Sequence, residues 1–382
     1  MKDSKIKLLV FHPSMAPYRI DFWNSLNEVF DLKIYFLHKN VLDQPFNQQE
    51  LKNQLKFECN YLDTGFLIGP RAFRRGFLQI IRNFKPDIVF TYEYSQTTLF
   101  IYLIRILFGF KFKIYSICDD SLQIATNCRG LRKFFRNYLI EKIDGLIVVN
   151  QKVADWYKTH FKLKNECIHF PIVVKDTEFR LRLSASIPQS NLFLEKYKLF
   201  GKKCILFVGR LVTIKGLDRL IKSFAKISIT NPDAVLVLVG SGQQKNELHK
   251  LVFQSGLEEK VLFVGRYEGD KLLAWYNIGQ IFVLASHQEA FGAVVNEALL
   301  SGATVICSEN AGASELIKSE INGNIFNPYD TELLSILLDK ELRKITSLEP
   351  LHQIRPTKMN ISFCEYFDVF KNNAITNSVR KI

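Results

Sequence analysis

Short runs of consecutive apolar residues recur along the chain, separated by longer stretches whose apolar positions fall three and four apart. In the first half the runs predict strands near 6–12, 32–37, 87–91, 112–117 and 145–149, with amphipathic helices between them. This alternation is the rhythm of a parallel sheet covered by helices. It lapses after 170–174, where the polar, proline-containing stretch 184–190 reads as a connection between domains. A second series then predicts strands at 203–208, 234–239, 260–264, 280–285 and 303–307, with helices over 217–227, 245–253 and 293–300. The stretch 363–370 reads as an apolar helix with no strand after it.

The expected architecture is α/β, with two Rossmann-like, doubly wound parallel-sheet domains facing a central cleft. Such domains bind ligands beyond the carboxyl ends of their strands. The boundaries expected are 1–180 and 191–355, with a C-terminal helix over about 360–382 packing back on the first domain or across both.

Composition narrows the picture. A chain of 382 residues with 47% hydrophobic content supports two cores. Cys59, Cys118, Cys128, Cys167, Cys204, Cys307 and Cys364 are odd in number and contain no CxxC pair, which favours neither disulfides nor zinc and points to a reducing cytoplasm. The first residues lack a secretory leader pattern, so folding is expected to begin at the first strand. The window 97–117 is broken by Arg105, Gly109, Lys111 and Lys113, and reads as a buried helix followed by a strand rather than a membrane span. A formal net charge of +13 favours an anionic partner: nucleotide, nucleic acid or acidic lipid.

The candidate chemistry lies in the second half. Glu289 and Glu297 bracket a run, Glu289-Ala-Phe-Gly-Ala-Val-Val-Asn-Glu297, between a predicted strand and the mouth of a helix. Unpaired N–H groups in a helix's first turn suit a phosphate, whereas carboxylates repel it and accept hydrogen bonds from hydroxyls. A ligand both phosphorylated and hydroxyl-rich, such as a nucleotide sugar, satisfies both. Gly209-Arg210-Leu-Val-Thr-Ile-Lys215-Gly216 follows the first strand of this half. Arg210 can fork onto phosphate oxygens and Lys215 can add a compact charge, together neutralising a leaving diphosphate. Gly240 and Gly242 serve either tight-turn packing or ligand contact. Arg266 either lies over a nucleotide base or is solvated.

Gly209-Arg-Leu with Gly216, Gly240-Ser-Gly242, Glu289 with Glu297, and Gly312-Ala-Ser-Glu315 resemble, in that order, the donor-binding domain of GT4-type glycosyltransferases of the GT-B fold. The resemblance covers about residues 200–330. It implies that Arg210 and Lys215 bind the donor diphosphate, Glu297 the ribose hydroxyls and Glu289 the donor sugar, with backbone amides around Phe291, Gly292 and Ala293 assisting. It further implies transfer with retention of configuration, no catalytic metal and no cofactor beyond a UDP-sugar or GDP-sugar co-substrate. The acceptor would be a glycan or lipid-linked glycan, as in capsule or lipopolysaccharide synthesis on the cytoplasmic side of the membrane.

The first half departs from that pattern. His12-Pro-Ser-Met-Ala-Pro-Tyr-Arg19 replaces a glycine-rich loop, and Cys118-Asp119-Asp120 stands where many members carry histidine and aspartate. Asp119 or Asp120 either contacts sugar or acceptor, or caps a helix. His12 is either catalytic or structural, and Arg19 either binds an anionic acceptor or faces solvent. Residues 71–85, with Arg71, Arg74, Arg75, Arg82 and Lys85, read as a basic amphipathic helix, and 129–139 repeat the theme. Such faces suit an anionic membrane. No nucleic-acid motif is present, so no nucleic-acid partner is expected. A nucleotide-sugar epimerase or hydrolase, or a degenerate donor-binding protein, remains the competing reading.

Overall fold

Each series of apolar runs closes into its own parallel sheet. The computed structural model describes residues 5–40, 46–68, 71–161, 163 and 165–379. The chain divides into two units, Met1–Pro171 with Cys364–Ile382, and Ile172–Phe363.

The first unit contains β1 (Lys7–His12), β2 (Asp31–Phe36), β3 (Asn60–Tyr61), the hairpin β4 (Gly65–Ile68) and β5 (Arg71–Arg74), β6 (Ile88–Tyr92), β7 (Lys113–Cys118), β8 (Gly145–Val148) and β9 (Glu166–His169). Its seven-stranded sheet runs β3-β2-β1-β6-β7-β8-β9, and the hairpin stands apart as a two-stranded sheet. Leu8, Leu9 and Val10 of β1 are fully buried. Helices cover both faces of a parallel sheet, which is why its strands read as continuous apolar runs rather than alternating ones. Phe367 and Phe370 of the Phe363–Val379 helix pack in this unit among Phe22, Phe90 and Phe170, and Phe22 stacks on Phe170 with centroids 4.7 Å apart.

The second unit contains β10 (Lys203–Val208), β11 (Ala234–Val239), β12 (Val261–Gly265), β13 (Ile281–Leu284), β14 (Thr304–Ser308) and β15 (Gly323–Phe326), in the order β12-β11-β10-β13-β14-β15. Every strand pair in this sheet is parallel. The order reverses direction between β10 and β13, and in the first unit between β1 and β6. At such a switch point the adjoining loops diverge to opposite faces and leave a crevice.

Three expectations are corrected. Residues 71–85 do not form one helix: β5 occupies the start, Gly76 adopts φ +97°, and the helix is Phe77–Phe84. Arg74 is tied to the carbonyl oxygens of Leu37 and Asp63, which holds it in the hairpin. The side chains of Arg71 and Phe73 lie outside the described residues. The stretch 184–190 is a joint between the helices Asp176–Ala185 and Ile187–Lys196 rather than an irregular connection, because Pro188 sits in a first turn, where its missing N–H costs nothing. Over 97–117 a helix, Gln96–Leu107, and a strand, β7, do follow one another, but the helix exposes much of its apolar surface. The sequence pattern does not mark β3, β9, β15 or the hairpin.

Arg355 ties the segment after the second sheet to its body. Its guanidinium donates to the carbonyls of Tyr276, Asn277 and Gly279 at 2.9, 2.8 and 2.6 Å, closing the carboxyl end of the Gly269–Ile278 helix. Arg355→Leu strands those carbonyls and should lower unfolding free energy by about 3 kcal/mol, measured by denaturant titration.

Candidate functional site

The switch point of the second unit gathers most of the residues singled out above. After β10 the chain passes through Gly209 and Arg210 into a single turn, Thr213–Lys215, and then the Leu217–Ile227 helix. Gly216 joins them at φ +64°, and a Cβ there would lie 2.4 Å from the carbonyl oxygen of Ala285. The loop after β13 is bound to this one by the amide of His287, which donates to the Ile214 carbonyl at 3.0 Å. Lys215 and Glu289 form an ion pair across the two loops, each side chain mostly buried. Ser286 donates a second hydrogen bond to the same Glu289 oxygen at 3.3 Å.

Arg210 is half-buried and has no ion pair or side-chain hydrogen bond among the described residues. A guanidinium so placed, on the loop that also carries Lys215, is available to an incoming anion. Glu297 lies in the first turn of the Val294–Leu300 helix and accepts a hydrogen bond from the buried Tyr276 hydroxyl at 2.6 Å. Burial raises its carboxyl above the usual range, against the opposing pull of that hydroxyl and of Arg182. Tyr276 was not legible as a site residue. It belongs to a different helix and resembles any core tyrosine in the sequence.

The other expected positions divide. A Cβ at Gly240 would fall 1.8 Å from the Gly209 carbonyl, and one at Gly242 would fall 2.3 Å from that of Leu211. The Gly-Ser-Gly turn therefore presses its backbone onto the Arg210 loop and shapes it. Arg266, exposed just beyond β12, pairs with Glu268. Phe291 is buried, so its side chain belongs to the core and only its backbone can serve a ligand. Its carbonyl accepts from the Ala313 amide at 2.8 Å, and a Cβ at Gly312 would meet the Ala290 carbonyl at 2.4 Å. The Gly312-Ala-Ser-Glu315 segment thus backs the loop that carries Gly292 and Ala293.

A second cluster occupies the switch point of the first unit. His12 ends β1, Tyr92 ends β6, and Cys118 ends β7. Buried Arg19 pairs with Asp119, while Arg132 reaches Asp120 at 2.6 Å and Glu93 at 3.1 Å. His12 is enclosed by the rings of Trp23, Phe36 and Tyr92 and shares a 2.9 Å hydrogen bond with the Ser14 carbonyl. Burial, reinforced by the Arg19 charge, lowers its pKa to about 3, so it is neutral at ordinary pH. Burial also raises the Asp119 carboxyl, although Arg19 opposes it.

Glu93 and Arg132 were missed in the sequence. Glu93 adopts φ +49°, unusual for a residue with a side chain. It is held there by its amide bond to the Ile117 carbonyl at 2.7 Å and by Ser116 and Thr98 hydroxyls donating to its own carbonyl. Its position directly after a strand, one residue nearer than Arg210 to its own, was the available signal. Among the described residues no group of three or more His, Cys, Asp or Glu is placed to hold a metal ion.

Residues 192–351 match the model of the family described as glycosyl transferases group 1. The protein "Uncharacterized glycosyltransferase MJ1059" of Methanocaldococcus jannaschii is 28% identical over 79% of this chain and 75% of its own length. "Uncharacterized glycosyltransferase MJ1607" of the same organism is 38% identical over 37% of this chain, and the chain spans only 36% of that relative. The solved structure of Anabaena Alr3699/HepE in complex with UDP superposes with a TM-score of 0.69 at 15% identity, over 98% of this chain and 95% of that one. With two doubly wound parallel sheets, this likeness identifies a GT-B α/β fold.

Burial raises the Glu93 carboxyl from 4.5 to about 7, with Asp120 and Asp119 adding to the rise and Arg132 opposing it. Folding therefore disfavours the ionised form. The stability it contributes is complete below about pH 4.5 and is lost as pH rises through about 7. Glu93→Gln should flatten this part of the thermal-midpoint profile relative to the parent chain. A difference between the two proteins that does not change across that window would contradict the burial argument.

Proposed function

We propose that this chain, whose residues 192–351 match the glycosyl transferases group 1 model, is a GT4-type enzyme that moves a sugar from a nucleoside-diphosphate donor to an acceptor hydroxyl, with retention of anomeric configuration. The observation that carries this reading is the company at the second switch point: Arg210, without an ion pair or side-chain hydrogen bond among the described residues, the Lys215–Glu289 pair, and Glu297 with its Tyr276 support. Two cations suit a diphosphate and two carboxylates suit hydroxyls, which is the charge pattern of a nucleotide sugar.

In this reading the bond between the anomeric carbon and the diphosphate oxygen breaks, and its electron pair leaves with the nucleotide. The acceptor oxygen bonds to the same face of the sugar and passes its proton to the departing diphosphate oxygen. Arg210 and Lys215 meet the charge growing on the diphosphate, so their role is greatest in the transition state. They supply this charge without a metal. Glu297 accepts from the ribose hydroxyls, and the Tyr276 hydroxyl fixes its rotamer. Glu289 holds a sugar hydroxyl while its bond to Lys215 keeps that cation aimed across the crevice. Gly209, the backbone at Gly292 and Ala293, and the region of Arg266 complete the nucleotide seat. The Anabaena neighbour was solved with UDP, which supports uridine as the first base to test.

The acceptor is proposed to meet the first unit at Asp119 and Glu93. His12, neutral and walled by aromatic rings, suits a packing role that positions Tyr92 better than proton transfer at neutral pH. A glycan or lipid-linked glycan acceptor and a place in cell-surface polysaccharide synthesis, on the cytoplasmic side, fit a chain of this basic character.

Transfer assays with a panel of UDP- and GDP-sugars test the reading, and sugar release without any acceptor would favour hydrolysis instead. Arg210→Ala should lower kcat/KM about a hundredfold by removing one stabilising donor. Unchanged kinetics would remove the assigned leaving-group site. Glu289→Gln separates the two roles of the ion pair. It should slow transfer yet leave affinity for the free nucleoside diphosphate equal or stronger in thermal-shift titration, because a repelling carboxylate has gone.

A further inference from the structure

The Gln96–Leu107 helix is apolar on both of its faces, with Leu99, Ile101, Tyr102 and Ile104 packed against the core. It buries Thr97 and Thr98 beside Ile101, while Phe100, Leu103, Ile106 and Leu107 face outward, Ile106 60% and Leu107 75% exposed. Phe108 continues the stripe. The Gly130–Leu139 helix packs beside it, with Tyr102 and Tyr138 rings 6.4 Å apart, and adds exposed Leu131 and Phe134, the latter 64% exposed. Scattered exposed leucines need no explanation, but a continuous apolar strip across two neighbouring helices does.

Exposed cations border this strip. Arg82 lies over the Phe108 ring at 5.0 Å and Lys142 over Tyr138 at 4.9 Å, while Arg129 and Lys133 flank Leu131 and Phe134 and Lys111 follows Phe108. Glu141 is the exposed acid beside them. A second copy meeting this face by twofold symmetry would set like charges against like. An anionic bilayer instead accepts the apolar side chains among its acyl chains and pairs its phosphates with the cations. No helix among the described residues is long and apolar enough to cross a membrane, so contact of this kind lies along the surface.

We propose that the face formed by the Gln96–Leu107 and Gly130–Leu139 helices is a membrane-surface docking site for anionic phospholipid. It is independent of the donor site, which belongs to the other unit. Lipid binding and nucleotide binding therefore fail separately.

The test is co-sedimentation of the full chain with vesicles of phosphatidylcholine, with and without phosphatidylglycerol. The parent protein should pellet with the anionic vesicles only, and less at high salt. Leu107→Asp and Phe134→Asp, each made alone at an exposed site, should each lose pelleting while keeping the parent thermal midpoint and nucleotide binding. Arg129→Glu with Lys133→Glu should lose the salt-sensitive part. Failure of the parent protein to pellet, or pelleting unchanged in all three variants, overturns the proposal. So does a dimer that these substitutions dissociate without any vesicle binding, which would assign the face to a second copy.

Discussion

Backbone lying directly on backbone holds the loops at the second unit's switch point in register. At Gly216, Gly240, Gly242 and Gly312 the space that a Cβ would need is taken by a carbonyl oxygen of a neighbouring loop. No side-chain adjustment relieves a clash with a carbonyl, so these glycines set how closely the loops after β10, β11, β13 and β14 can gather. The Lys215–Glu289 pair and the His287 bond to Ile214 depend on that closeness. The ionic groups are placed by the packing of uncharged chain beneath them.

The first unit solves a related problem with charge. Arg19, Asp119, Asp120, Arg132 and Glu93 sit at the carboxyl edge of three adjacent strands, largely withdrawn from water. Buried charges are tolerated when each finds an opposite partner, and here every carboxylate faces a guanidinium. The excess of acid over base in the Arg132 part of the network leaves Glu93 as the group on which the cost of ionisation falls. The two units thus present different chemistry from the same topological position, one with Arg210 beyond an ion pair already made, the other with each carboxylate set against a guanidinium.

On the Gln96–Leu107 helix of the first unit, apolar side chains occupy the outer face as well as the inner one. Thr98 donates to the Glu93 carbonyl at 2.9 Å at the strand end within, while Leu103 and Leu107 lie outside. A polar task at the sheet edge and an apolar outer face are therefore two consequences of one helix orientation.

The sequence by itself determined the parallel sheets and the break into two series, and it singled out Arg210, Lys215, Glu289 and Glu297 beside their turns. Continuous apolar runs and glycine-bounded turns are local signals, and β10, β11 and the Leu217–Ile227 helix stand at the positions expected from them. Family motifs carried Arg210, Lys215, Glu289 and Glu297 because these lie at fixed spacing from those turns. Tertiary structure alone decided the rest. Tyr276 meets Glu297 from another helix, Arg132 joins Glu93 across 39 residues, and Arg71–Arg74 becomes a strand because its hairpin partner claims its backbone. A basic, apolar stretch such as 97–111 has the same periodicity whichever face turns inward. Only the packing of Thr97, Thr98 and Ile101 against the sheet settled which side met water.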